Sequence, residues 1–124
     1  MNMTTSIRQI GGVTIVDIRG RMVLGKESAS VRDLIYDLLR NGHKQIVLNL
    51  GAVDYIDTTG VGLLVGSYTT VRKRGGEMIL LDLQEKVADV MQTSNLHKVF
   101  ETVSGEAAAI ASFGHSTLKL KAGR

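Results

Sequence analysis

Cysteine is absent from the 124 residues of the chain, and aromatic side chains make up only 4% of them. Without cysteine the chain can form no disulfide, no thiolate nucleophile and no cysteine-based metal site. Nucleic-acid surfaces usually combine a clustered basic face with stacking aromatics, and a formal net charge of +3 with so few rings argues against one. No apolar run is long enough to span a membrane, and the amino terminus lacks the apolar core of a signal peptide. We therefore expect a cytoplasmic protein that contacts neither nucleic acid nor membrane directly.

The histidines and the glycine-rich stretch offer no recognisable catalytic, metal or cofactor site. His43, His97 and His115 lie far apart in the sequence, and none has an acidic or histidine neighbour at the spacing of metal ligands. The glycines within residues 60–66 match neither the dinucleotide-binding pattern nor the P-loop pattern. We expect no enzymatic activity, no metal and no cofactor, although a small enzyme or nucleotide-binding protein remains an alternative hypothesis.

Alternating β-prone runs and helical stripes predict an α/β fold. Two β-prone runs flank Gly11 and Gly12 and predict a hairpin, and apolar runs at 46–50 and 78–81 predict buried strands. Apolar residues at helical spacing predict helices near residues 31–39, 58–74, 87–91 and 107–113. Because the helix at 58–74 joins the two buried strands, we expect those strands to be parallel.

These elements predict one domain over residues 1–114, in which a mixed β-sheet carries helices mainly on one face. The strand at 45–50 is expected to lie at the centre of that sheet. Residues 115–124 contain Lys119, Lys121 and Arg124 and are expected to form a flexible basic tail. The stretch Arg21–Leu24, between two glycines, shows no regular pattern.

The segment between the central strand and the following helix carries the most informative residues. Asp57, Thr58, Thr59 and Gly60 stand at the predicted helix start, where side-chain oxygens accept hydrogen bonds from unpaired backbone N–H groups. From the residues alone, capping explains both threonines better than a functional hydroxyl does, and the second explanation stays open.

The next residues of the same helix allow two interpretations each. Gly62 and Gly66 either allow a helix face to pack closely on another backbone or keep that face flat for a partner. The predicted buried stripe consists of Val61, Leu64, Val65, Tyr68 and Val71. Leu63 lies off this stripe and is either an apolar partner contact or ordinary core.

Three segments of the chain carry a resemblance to a known family. They are residues 46–50, Ile-Val-Leu-Asn-Leu, residues 56–62, Ile-Asp-Thr-Thr-Gly-Val-Gly, and residues 74–78, Arg-Gly-Gly-Glu-Met. With these segments the chain resembles the anti-sigma factor antagonists over about residues 7–113. Those proteins are the stand-alone members of the sulphate transporter and anti-sigma factor antagonist (STAS) domain family. The resemblance implies a single STAS-like domain.

The resemblance also implies a regulatory binding module rather than an enzyme. A typical antagonist sequesters an anti-sigma factor that is also a serine/threonine kinase, and thereby releases a sigma factor. The kinase phosphorylates the hydroxyl residue directly after the aspartate, here Thr58 with Thr59 as the fallback, and a metal-dependent serine/threonine phosphatase removes the phosphate. The residues implied to contact the partner are Asp57, Thr59, Gly60, Val61, Gly62 and Leu63.

The chain departs from the commonest family pattern in two places. Thr58 stands where serine is usual, and the stretch Arg21–Lys26 lacks the acidic residue that many antagonists carry soon after Gly20. An alternative hypothesis within the family is a STAS scaffold or sensor subunit that binds a small ligand or other regulatory proteins without a sigma factor.

Overall fold

Strands and helices alternate along the chain as the sequence predicts. The structure is a computed structural model that describes residues 3–113, apart from the side chains of residues 26–28. The elements are β1 (Thr4–Ile10), β2 (Val13–Met22), α1 (Lys26–Arg40), β3 (Gln45–Ile56), α2 (Thr58–Lys73), β4 (Glu77–Leu81), α3 (Glu85–Thr93), a 3-10 helix (Leu96–Lys98), β5 (Glu101–Val103) and α4 (residues 106–113). The predicted tail at 115–124 and His115 lie outside the described residues.

The five strands form one mixed sheet in the order β1-β2-β3-β4-β5. β1 and β2 are antiparallel and meet in the predicted hairpin, where Gly11 has a φ of 61° that glycine adopts readily. All other neighbouring strands are parallel. The parallel pairing of β3 with β4 and the central position of β3 are both confirmed.

Strands β2 and β3 are longer than the sequence indicated. β2 continues to Met22 through the stretch left without a regular pattern, and β3 continues past Leu50 to Ile56. The extensions pair with each other, since Arg21 lies opposite Tyr55 and Met22 opposite Ile56. Each strand satisfies the backbone N–H and C=O groups of the other, which a single-strand pattern cannot reveal. The pairing places the end of β2 beside the start of α2.

The sheet separates two hydrophobic clusters because successive side chains of a strand point to opposite faces. The larger cluster joins α1, α2 and α3 to one face through residues such as Leu48 and Leu80. The smaller cluster packs Phe113 of α4 on Val47 and Ile79, on the other face. The predicted arrangement, a mixed sheet with helices mainly on one face, is confirmed.

Helix α2 buries a face that is turned relative to the predicted stripe. Its buried residues are Gly60, Leu63, Leu64, Ser67 and Val71. Leu64 and Val71 have no exposed surface, as predicted, whereas Val61, Val65 and Tyr68 are only partly buried against the larger cluster. The side of α2 that bears Leu63 and Ser67 therefore faces the interior, which the sequence did not predict.

Candidate functional site

Asp57 is the N-cap of helix α2, at the point where the central strand β3 ends. Its backbone is extended, and its Oδ1 accepts a hydrogen bond from the N–H of Gly60 at 2.9 Å. Its Oδ2 accepts a second bond from the N–H of Leu24 at 3.3 Å, and its own N–H donates to the carbonyl of Met22 at 3.2 Å. The side chain therefore links the start of α2 to the loop between β2 and α1.

These donors favour the ionised form of the Asp57 carboxyl group. The N–H of Gly60 is the main cause that lowers the pKa of Asp57 below its usual value, against the opposing effect of partial burial. The N–H groups of Leu24 and Thr59 lower it further. The N-terminus of a helix also favours negative charge through its unpaired N–H groups. A carboxylate therefore directly precedes Thr58 at neutral pH.

Neither threonine of the motif caps the helix, because Asp57 has that role. The sequence-based preference for capping by Thr58 and Thr59 is wrong. Thr58 is the first residue of α2 and is exposed, and its hydroxyl forms no hydrogen bond with any group that the structure describes. Thr59 is half-buried. The motif thus presents one accessible, uncommitted hydroxyl next to a carboxylate.

Gly60 allows the first turn of α2 to lie directly against β2. A Cβ at this position would lie 2.1 Å from the carbonyl oxygen of Met22 and 2.6 Å from Cγ1 of Ile56. Real Cβ atoms do not approach other heavy atoms so closely, and one of the two is a backbone atom that cannot easily move. Only glycine therefore fits without displacing the helix from the strand.

No close contact explains why positions 62 and 66 hold glycine. Both are exposed, and a Cβ at either position would meet no described heavy atom within 4 Å. The interpretation that they allow close packing against another backbone is wrong for the described part of the chain. The second interpretation, a face kept flat for a partner, stays a prediction.

An open depression of about 410 Å³ adjoins Thr58. Its lining residues are Tyr55, Ile56, Asp57, Thr58 and Val61 around the start of α2, and Val90 and Ser94 near the end of α3. The Thr58 hydroxyl and the Asp57 carboxylate thus lie beside an apolar surface contributed by two helices and a strand. Such a surface can receive the side chains of another protein.

Leu24 and Tyr55 are large exposed side chains close to Asp57 that the sequence analysis did not identify. Leu24 is 78% exposed, and its N–H is the one that donates to Asp57. Tyr55 is 43% exposed, and Cζ of Arg21 lies 4.5 Å from the centroid of its ring. Their position depends on the pairing of β2 with β3. In the sequence, the only sign of this exposed surface was the apolar Leu24 directly before Gly25, in a stretch without periodicity.

The predicted partner-binding residues lie together at the start of α2, but not all reach the surface. Thr59 and Val61 are half-buried and Gly62 is exposed, whereas Gly60 is buried. Leu63 is only 6% exposed and belongs to the larger core cluster. Of the two alternatives left open for Leu63, the structure supports ordinary core.

The described residues contain no group of three or more His, Cys, Asp or Glu side chains that could hold a metal ion. His43 is half-buried with its Nε2 3.4 Å from Nε2 of Gln9, and His97 is exposed. In the same part of the chain, no helix combines the length and apolar character needed to cross a membrane. The distinctive chemistry of the site is that of one accessible hydroxyl beside one carboxylate.

A model of the STAS domain matches residues 4–109. The chain belongs to the STAS domain family. A relative of this STAS domain, the anti-sigma F factor antagonist of Paenibacillus polymyxa, is 26% identical over 110 residues, which cover 89% of this chain and 94% of the relative. The family resemblance predicted from the sequence is confirmed.

Two solved structures share the fold of this STAS domain. The anti-sigma factor antagonist SpoIIAA in its unphosphorylated form superposes with a TM-score of 0.75 and 21% identity, over 90% of this chain and 97% of that one. The Bacillus cell fate determinant SpoIIAA in its phosphorylated form superposes with a TM-score of 0.71 and 20% identity, over 89% and 99%. The STAS-like fold predicted from the sequence is confirmed.

Proposed function

We propose that this protein is an anti-sigma factor antagonist whose binding is switched by phosphorylation of Thr58. The carrying observation is the exposed Thr58 hydroxyl, which no described residue hydrogen-bonds and which directly follows the capping Asp57. The named relative and the fold of SpoIIAA support this class of function. In the unmodified state the protein sequesters an anti-sigma factor that is also a serine/threonine kinase, and a sigma factor is released.

Phosphorylation of Thr58 would change the charge of the surface without unfolding the domain. A phosphate adds about −1.5 to −2 charges and three acceptor oxygens. The N-terminus of α2 tolerates an anion because its N–H groups and its dipole favour negative charge. The Asp57 carboxylate already contributes one negative charge at the neighbouring residue, and the hydrogen bonds to Gly60 and Leu24 keep it ionised.

The added charge would weaken the binding of a partner at the contact surface. A partner complementary to a neutral hydroxyl, to Val61 and to the exposed side chains of Leu24 and Tyr55 would meet a bulky, hydrated dianion. Burial of an unpaired charge is costly. A loss of about 3 kcal/mol in the binding free energy weakens an interface roughly a hundredfold. The switch therefore acts by repulsion at the interface.

The proposal also covers the enzymes that act on the protein and the place where it works. In this proposal the protein is a binding module without catalytic activity of its own, and the transferred phosphate comes from the ATP of the partner kinase. A metal-dependent serine/threonine phosphatase restores the unmodified hydroxyl. The protein works in the cytoplasm, without direct contact to nucleic acid or membrane.

The proposal can be tested with an anti-sigma factor kinase of the histidine-kinase-like ATPase class. The kinase and ATP are incubated with the wild type, with Thr58→Ala and with Thr59→Ala, and the products are mapped by mass spectrometry. We expect one phosphate on Thr58 in the wild type and in Thr59→Ala, and none in Thr58→Ala. Phosphate on Thr59 or on a distant serine would refute the assignment. A complete lack of phosphate would favour the scaffold or sensor subunit instead.

A further inference from the structure

A groove of about 330 Å³ lies between α1 and α2, and it shares Thr59, Gly62 and Leu63 with the predicted partner-binding residues. Its polar lining consists of Arg32 from α1 and of Thr59, Ser67 and Thr70 from α2. Gly62, Leu63 and Gly66 complete the lining. A volume of this size is at the lower end of the range found for small-molecule sites. We call this feature the α1–α2 groove.

The two glycines of the α1–α2 groove weaken α2 without serving the packing of the described domain. Glycine is the least favourable helix residue apart from proline. Gly62 and Gly66 are nevertheless interior residues of α2, and a Cβ at either would meet open space. Their effect is to leave the helix backbone uncovered along the groove. An occupant of the groove could therefore approach that backbone closely.

Ser67 provides an independent observation in the same groove. Its side chain is buried, with 3% of the residue exposed, and its Oγ has no hydrogen-bond partner among the described residues. A buried hydroxyl that has lost water and gained no partner is unfavourable. A helical serine can usually bond to the carbonyl four residues before it, but this hydroxyl does not. Because Ser67 lines the groove, a rotation about its Cα–Cβ bond would bring this covered hydroxyl to a ligand there, and the ligand would supply the missing partner.

The charged and polar groups of the groove define the ligand class. Arg32 forms no ion pair with any side chain that the structure describes, and no described acidic side chain lines the groove. A guanidinium group binds a carboxylate well because its planar N–H groups match the two oxygens. One positive charge balances one carboxylate, whereas a phosphate dianion would leave a charge unbalanced. The Cα atoms of Gly62 and Gly66 and the small exposed part of Leu63 offer an apolar surface along the groove.

We propose that the α1–α2 groove binds a small organic monocarboxylate. Its carboxylate interacts with Arg32 and with the hydroxyl of Ser67, and its apolar body lies over Gly62 and Gly66. This binding goes beyond the proposed switch, and its test on the unmodified chain does not require that Thr58 is ever phosphorylated.

The test is a nuclear magnetic resonance titration of the full unmodified chain with benzoate, and with benzamide as the uncharged control of the same shape. We expect benzoate to shift the amide signals of Gly62, Gly66 and Ser67 in a saturable way, with a Kd on the order of 1 mM for so small a ligand. Benzamide should shift them little at the same concentrations. Equal shifts by the two compounds, or no saturable shift at these amides, would overturn the proposal.

Substitutions decide whether the lining residues act as proposed. Arg32→Gln should weaken benzoate binding by about tenfold or more, because it removes the charged partner. Ser67→Ala should weaken it several-fold, and the matched control Lys73→Gln, on exposed surface outside the groove, should leave it unchanged. Wild-type affinity in Arg32→Gln would refute the carboxylate assignment. Wild-type affinity in Ser67→Ala would show that the Ser67 hydroxyl is only a structural defect and would overturn its placement in the site.

Discussion

Oδ1 of Asp57 lies 2.9 Å from the backbone nitrogen of Gly60, and this hydrogen bond caps helix α2. Because the carboxylate provides the cap, the hydroxyl of Thr58 can change its chemical state without loss of the helix start. The other carboxylate oxygen bonds to Leu24 and connects the same residue to the preceding loop. Stability and the proposed switch therefore depend on neighbouring but different side chains.

Asp57→Ala should lower the free energy of unfolding by about 1 kcal/mol, within the range of about 0.5–2 kcal/mol found for lost N-caps. The substitution leaves the N–H groups of Gly60 and Leu24 without their acceptor. Asp57→Asn is the matched control and should lose less, because asparagine also caps helices. Urea denaturation of the three proteins measures both changes. An equal loss in the two variants would show that the charge, rather than the capping oxygen, is what matters.

The contribution of the Asp57 charge to stability should depend on pH. The pKa of Asp57 is lowered in the folded state, so the unfolded state, with a pKa of about 3.9, takes up a proton first as the pH falls. The stability that ionised Asp57 provides is therefore complete above that unfolded pKa and is lost as the pH falls through the folded pKa. Urea denaturation from neutral to acidic pH should show the difference between wild type and Asp57→Asn declining over this acid range. A difference that stays constant there would contradict the prediction.

Gly60→Ala and Gly66→Ala should change the stability in opposite directions although both lie in α2. The added methyl group at Gly60 would collide with the carbonyl of Met22, and overpacking of this kind typically costs about 1–3 kcal/mol. At Gly66 the methyl group meets open space, and the better helix propensity of alanine should add up to about 1 kcal/mol. Thermal and urea denaturation of the two variants measure which of them is more stable. Gly60→Ala at least as stable as Gly66→Ala would show that the contact between α2 and β2 is not as close as described.

Leu64→Ala should lower the free energy of unfolding by about 2–5 kcal/mol, since Leu64 is completely buried in the larger core cluster. Leu24→Ala removes the same atoms from a side chain that is 78% exposed, and should change stability by less than about 0.5 kcal/mol. Under the proposed function, Leu24→Ala should nevertheless weaken binding to the anti-sigma kinase. A loss of stability in Leu24→Ala comparable to that of Leu64→Ala would contradict the assignment of Leu24 to the surface.

Thr58→Glu should separate folding from binding. The helix N-terminus accommodates the new carboxylate, so the melting temperature should stay the same or rise slightly. Affinity for the anti-sigma kinase should fall, but less than after phosphorylation, because a carboxylate has less charge and fewer acceptor oxygens. Calorimetry of the variant alone and titration against the kinase measure the two effects.

The control for this prediction is Thr58→Gln, which has nearly the same size as Thr58→Glu and no charge. It should bind the kinase more tightly than Thr58→Glu does. Tight binding retained by Thr58→Glu would rule out charge repulsion as the switching mechanism, even if Thr58 were phosphorylated.

The sequence by itself determined the features that depend on neighbours along the chain. The hairpin at Gly11 and the helix after Asp57 follow from local periodicity and from short hydrogen-bonded turns, and the parallel pairing of β3 and β4 follows from the helix that joins them. The cap is such a feature, because its donor lies only three residues beyond the carboxylate. The choice between Asp57 and the threonines as the cap needed the coordinates, since all three residue types can fill that position.

The tertiary structure decided the features that depend on distant parts of the chain. Positions 60 and 66 both hold glycine in helix α2, yet only Gly60 faces the backbone of Met22. Met22 lies 38 positions before Gly60 along the chain. The burial of Leu63 depends on how far α2 is rotated about its axis when it packs on the sheet. Leu24 lies beside Asp57 only because β2 pairs with β3 up to Met22. Local periodicity indicates that a helix or a strand has an apolar face, but the packing of one element on another decides which atoms that face meets.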